Sequence, residues 1–220
     1  MRFLKLILLL PLVFLASCGE RRPLVDEGRG VALNFKYAAL LDVADFDGYR
    51  RVVVRNPWDS SSVLQTYVLV DRDSALPKDL PQGVVVRTPL SRSVVCAAAH
   101  CGLFDELGAY KAVAGVCDLK FINMKRVHDD VTAGRIVSLG DGLNPDVERL
   151  VELNPDALFV SPFENGAGGW TERLGVPVVE CAEYMERLPL GRAEWMRFYG
   201  LLFHQSAKAD SIFAIVEKNY

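Results

Sequence analysis

The chain is short of positive charge. Its 25 lysines and arginines stand against 28 aspartates and glutamates, a net charge of −3, and no basic footprint recommends nucleic acid as a partner. Histidine is scarce: His100, His128 and His204 are the only three in 220 residues. No G-x-S-x-G elbow, P-loop or H-E-x-x-H pair occurs, so no residue is assigned a catalytic role and the chain reads as a non-enzyme without a cofactor. Cys96, His100 and Cys101 offer zinc-type donors, but they straddle a strand end and a helix start, a poor arrangement for one shared ion, and no metal is expected there. Repeats and low-complexity segments are also missing. No apolar run reaches the ~20 residues that a membrane-spanning helix needs.

What is present is ordinary globular composition, with 50% apolar and 24% charged residues, and enough length for one sizeable domain. The first residues stand apart. Arg2 and Lys5 precede an apolar run, Leu6–Leu15, and Leu15-Ala16-Ser17-Cys18 follows. This pattern resembles a bacterial lipobox, which implies a signal peptide over residues 1–17 and a lipid on Cys18. Such an anchor holds a protein on a membrane face without spanning it. Residues 18–30 are polar and read as lipidated cysteine plus tether. The other four cysteines, Cys96, Cys101, Cys117 and Cys181, read as free and mostly buried thiols; in an exported protein they can also oxidise, with three possible pairings.

Between residues 31 and 190 the pattern is α/β. Tyr49–Asn56 and Gln65–Val70 are strand-like runs around a turn that carries Trp58, an extra N-terminal β-hairpin. Ser93–Ala98, Ala112–Cys117, Ile136–Leu139, Ala157–Val160 and Val176–Cys181 are short apolar strands separated by helical stretches, the signature of a parallel, Rossmann-like sheet flanked by helices. In Arg135–Pro162, Asn144 suits a helix N-cap, Pro145 its first position, and Val147, Leu150 and Val151 one apolar face. Phe163–Gly169 reads as a loop and Thr171–Leu174 as a short helix. Residues 191–220 predict one long helix: from Ala193 there is no proline, Gly200 is the only glycine, and Trp195, Tyr199, Leu202, Ala209, Phe213 and Val216 recur at steps near three and four. About 28 helical residues would reach roughly 42 Å.

Several of these residues carry a resemblance. Gly140, Asn144-Pro145, Glu148, Leu150, Leu153, Pro155-Asp156 and Ser161 match the segment "G…NPxxExIxxLxPDLVxxS". Arg92-Ser93-Val94-Val95, Leu107-Gly108 and Val113–Asp118 follow an opening of the form "RVVxLxPxxTExLxALGxxDxVVGVxD". Both resemble the metal-chelate (class III) substrate-binding lipoproteins of ABC importers. Ala98-Ala99-His100-Cys101 departs from that pattern, where the family often places Ser, Thr or Glu. The resemblance implies an N-terminal lobe, a linker helix over 191–220 and a missing C-terminal lobe. It also implies capture of an iron siderophore, or alternatively cobalamin or haem, for a permease and its ATPase subunits, on the periplasmic face of a bacterial envelope.

In open parallel sheets ligands sit beyond the carboxyl ends of strands. The strand reading therefore brings His100, Asp118, Asp141, Phe163, Glu164 and Tyr184 to one rim as ligand candidates, with Trp58 from the hairpin turn. Glu148 lies off the apolar face of its helix; by resemblance it docks on a permease arginine. A reading of another class, a Rossmann-like lipoprotein enzyme, would need a nucleotide fingerprint or an activated nucleophile, and neither is visible.

Overall fold

The computed structural model describes residues 30–59, 61–163 and 175–220. Cys18, the signal peptide and almost all of the tether lie outside them, as do Glu164 and the helix expected at Thr171–Leu174.

The first sheet is larger than the expected hairpin. It has five strands in the order β1 (Val31–Leu33), β2 (Leu41–Phe46), β3 (Tyr49–Arg55), β4 (Val63–Asp71) and β5 (Val84–Thr88). The hairpin read from the sequence is β3/β4, and its turn is pinned by Asn56 Oδ1, which accepts from the Trp58 amide at 2.9 Å. A second hairpin joins β2 to β3 through Asp47-Gly48, where Gly48 has φ +79, a conformation glycine adopts without cost.

The second sheet is built from β6 (Ser93–Val95), β7 (Val113–Val116), β8 (Val137–Ser138), β11 (Ala157–Val160) and β12 (Val178–Glu180), in the order β12-β11-β6-β7-β8. Every pairing is parallel. β6 and β11 are buried at every residue, as expected of strands covered on both faces. Helices α1 (His100–Glu106), α2 (Lys125–Thr132) and α3 (Val147–Leu153) make the crossovers. A small apolar cluster, with Val94, Cys117, Leu139, Leu150 and Leu158, lies under α3; a larger one joins the first sheet, α1 and the C-terminal helices. The α/β class expected from the sequence is therefore the observed one.

Two local expectations are corrected. Asn144 and Pro145 do not start the helix. They form β10 (Asn144–Pro145), paired with β9 (Gly140–Asp141) in a miniature hairpin. Asp146 is the N-cap, its carboxylate accepting from the Arg149 amide at 3.1 Å, which satisfies one orphan helix donor. The helix is thereby rotated: Leu150 and Leu153 face the core, while Val147 and Val151 are 39% and 61% exposed.

Nor do residues 191–220 form one helix. α4 (Pro189–Leu202) and α5 (Ser206–Asn219) are separated by a turn in which His204 takes φ +53. The pair is antiparallel: Arg197 meets Asp210 at 2.7 Å, and Gly200 lies against Ala209. A Cβ on Gly200 would stand 2.6 Å from that of Ala209, so the glycine permits the close crossing. Glu194 fixes the hairpin to the N-terminal segment by accepting from the amides of Lys36, Tyr37 and Ala38 at 2.9, 2.7 and 2.8 Å. Glu186 accepts from Ala39, Leu40 and Trp195 Nε1.

Candidate functional site

Because all five strands of the second sheet run in one direction, the loops that leave them emerge at one edge. After β6 the chain moves to β7 and β8 on one side and then to β11 and β12 on the other. The reversal falls between β6 and β11, and the crevice of such a sheet opens there. Cys96–Ala99 and Ser161–Phe163 flank it.

The rim is knit by short polar contacts. Asp118, at φ +50, donates its amide to Gly140 O at 2.7 Å and accepts from the Gly142 amide at 3.1 Å. A Cβ on Gly142 would lie 2.7 Å from Asp118 Oδ2, so a side chain there would push the Asp118 carboxylate off the Gly142 amide. Tyr184 Oη donates to Pro162 O at 3.0 Å, joining the β12 and β11 exits. Asp141 is exposed and turns its carboxylate onto the Leu143 amide. Phe163, Tyr184 and Leu143 are 48%, 46% and 68% exposed, leaving apolar faces open to a bound molecule. Burial pushes the carboxyl of Glu180, the last residue of β12, up to about 7.

His100 occupies a different place from the open rim. It is 2% exposed. Its Nδ1 faces Ala97 O at 3.3 Å and its Nε2 faces Tyr199 Oη at 3.1 Å, while Tyr199 donates onward to Glu183 at 2.7 Å. Both ring nitrogens thus meet acceptors, the arrangement of an imidazolium. Glu183 Oε1 stands 3.4 Å from Nε2. Burial alone would lower the pKa of His100, but the Cys181 sulfur and the Glu183 carboxylate facing it hold it well above its ordinary value. Burial pushes the Cys181 thiol up, and His100 beside it draws it part of the way back. Burial would likewise raise Glu183, yet His100 and Tyr199 draw it down. Donor atoms of His100, Cys181 and Glu183 lie within 4.8 Å of one another. As arranged, they are a satisfied ion pair that ties α1 to the β12 exit.

Of the residues expected at the rim, Asp118, Asp141, Phe163 and Tyr184 are at strand exits, His100 lies beneath, and Glu164 is outside the described residues. Trp58, 37% exposed, belongs to the β3–β4 turn. That turn belongs to the first sheet, not to a strand exit of the second. Glu148 is exposed on the first turn of α3. Sequence reasoning missed Glu183, Tyr199, Glu186 and Glu194. The one available signal was a carboxylate beside Trp195 on the buried side of a helix. A separate cleft of about 540 Å³ opens between the first sheet and the α4–α5 turn, lined by Asp45, Arg50, Asp71, Thr88 and His204 among others.

No protein-family profile matches the chain. Two curated relatives come from Methanocaldococcus jannaschii. Uncharacterized lipoprotein MJ0878 is 25% identical over 84% of this chain and 49% of its own length. Uncharacterized lipoprotein MJ0872 is 27% identical over 72% of this chain and 42% of its own length. The chain thus spans about half the length of the curated relatives it matches. Among solved structures, the petrobactin-binding protein YclQ of Bacillus subtilis shares the fold with a TM-score of 0.52 at 14% identity, over 76% of this chain and 50% of that one.

Proposed function

We propose that this chain is the ligand-capturing lobe of a lipid-anchored substrate-binding protein that delivers a metal chelate to an ABC permease. The observation that carries the reading is the single open rim at which five parallel strands end, in a fold shared with half of a petrobactin-binding protein. An open rim grips a small molecule weakly, because pockets normally bury most of a ligand's surface. A second lobe, supplied by the other half of a protein of the relatives' length, would provide the facing wall. Iron siderophores are the first ligand class; cobalamin and haem are the alternatives. Phe163 and Tyr184 would lie flat against such a ligand, with Asp141 beside them and Trp58 approaching from the hairpin turn. Asp118 would act chiefly by holding the Gly140–Gly142 loop.

The lobe catalyses nothing in this reading; partner subunits hydrolyse ATP. Exposed Glu148 supplies a carboxylate for a permease arginine, a charge-assisted contact that sets docking register. Cys18 carries the lipid, and the naming of both relatives as lipoproteins supports that anchor. The test is titration of the full-length protein with ferric siderophores, haem and cobalamin, followed by tryptophan fluorescence. Saturable quenching by one class supports the reading; no response to any of them refutes it.

A further inference from the structure

β6 and β7 are neighbours in parallel register, with Val95 opposite Val116. The next residue on each strand is a cysteine. Cys96 and Cys117 therefore meet at the exits of the two strands, with their Sγ atoms 3.0 Å apart. Neighbouring strands lie about 4.8 Å apart, inside the ~4.4–6.8 Å range of Cα separations that a disulfide bridges. The remaining gap to a bond of about 2.05 Å is about 1 Å between the sulfur atoms. All four described cysteines are free thiols, but they are not equivalent. Cys181 faces His100 and Cys101 is buried in α1. Cys117 is wholly buried in the apolar cluster under α3, and Cys96 is half-buried against that cluster, reachable from the rim.

We propose that Cys96 and Cys117 are a covalent modification site, oxidised to a disulfide that staples the carboxyl ends of β6 and β7 under the rim. The inference rests on the exported location in the proposed function, because such compartments supply the oxidant, a low-molecular-weight or protein disulfide. The Cys96 thiolate attacks one sulfur of that disulfide, forming a mixed disulfide and releasing the first thiol. The Cys117 thiolate then attacks Cys96 Sγ and expels the second thiol. The protein loses two hydrogens, and the oxidant is reduced to two thiols. The neighbouring Cys117 thiol and burial both push the Cys96 thiol up, so the first attack is slow. The same burial shields the finished bridge from reductants. Gly142 lies over the pair: a Cβ there would be 3.4 Å from Cys96 O and 3.6 Å from Cys117 Cβ. The bridge would thereby fix the floor beneath the loop that Asp118 holds.

The test uses the purified chain equilibrated with oxidised glutathione, quenched in acid, denatured, alkylated with iodoacetamide and digested with trypsin. The expected result is the peptide of residues 93–111 linked to that of 112–120, two hydrogens lighter than the free pair, with Cys181 alkylated and the same link in Cys101→Ser. Full alkylation of Cys96 and Cys117, or a link from Cys117 to Cys101 or Cys181, would overturn the site. The same trapping on protein taken directly from cells tests the compartment. A bridge that forms in the tube, with thiols found in cells, counts against the exported location rather than against ligand capture at the rim.

Discussion

Glu194 of α4 accepts a hydrogen bond from the Tyr37 amide at 2.7 Å, across 157 positions of sequence. The same carboxylate takes the amides on either side, so one side chain completes the backbone bonding of the segment that leads into the first sheet. Glu194→Ala would leave three amides without their acceptor, each costing about 1–3 kcal/mol if it stays dry. We expect a loss of roughly 3–5 kcal/mol in urea unfolding, with Glu194→Gln intermediate. A change below about 1 kcal/mol would show that water replaces the carboxylate freely.

The α4–α5 crossing depends on Gly200. Gly200→Ala places a methyl group 2.6 Å from the Cβ of Ala209, and overpacking of this kind costs about 1–3 kcal/mol. The second-site change Ala209→Gly should recover much of that loss. Thermal unfolding of both single variants and the double variant checks the coupling.

The His100–Glu183 pair carries a pH signature. Glu183 is held below its ordinary value of 4.5, so its contribution is present above that pH and is lost as pH falls through the folded value. His100 is held above its ordinary 6.5, so its contribution is complete below that pH and declines as pH rises toward the folded value. The stability advantage of the native chain over Glu183→Gln should therefore peak between these two ordinary values and shrink on both sides. Breaking a buried pair by removing one partner costs on the order of 3 kcal/mol. A difference that does not vary with pH would mean that the pair is neutral.

Glu148 tests docking apart from capture. Glu148→Arg changes an exposed charge on the first turn of α3 and should leave chelate affinity unaltered. In reconstituted transporter it should abolish stimulation of the ATPase. Normal stimulation by this variant would remove Glu148 from the docking surface.

The parts of the fold legible in the sequence were those written in local pattern. Ala157–Val160 reads as a buried strand from four apolar residues between turn signals, and it is β11 with the same bounds. Gly108, at φ +76, marks the end of the α1 segment as expected. The α4–α5 reversal was hidden because a stripe at steps of three and four persists through both helices, and Gly200 serves equally as helix residue and crossing point. His100 follows a strand exit, which suggested the rim. What buries it are Tyr199, 99 positions away, and Glu183, beyond reach of any local pattern. Glu148 and the rim aromatics stand where the strand pattern places them, but the roles proposed for them depend on contacts with other molecules, which no local pattern encodes.

Hydrogen–deuterium exchange of the full-length protein, with and without a bound ferric siderophore, tests the central claim most directly. Protection is predicted in the strand exits at residues 96–99, 117–120, 140–144, 161–163 and 181–184, with Asp45, Arg50 and His204 unchanged. Protection confined to the cleft around those last three residues, with the strand exits unaffected, would contradict it.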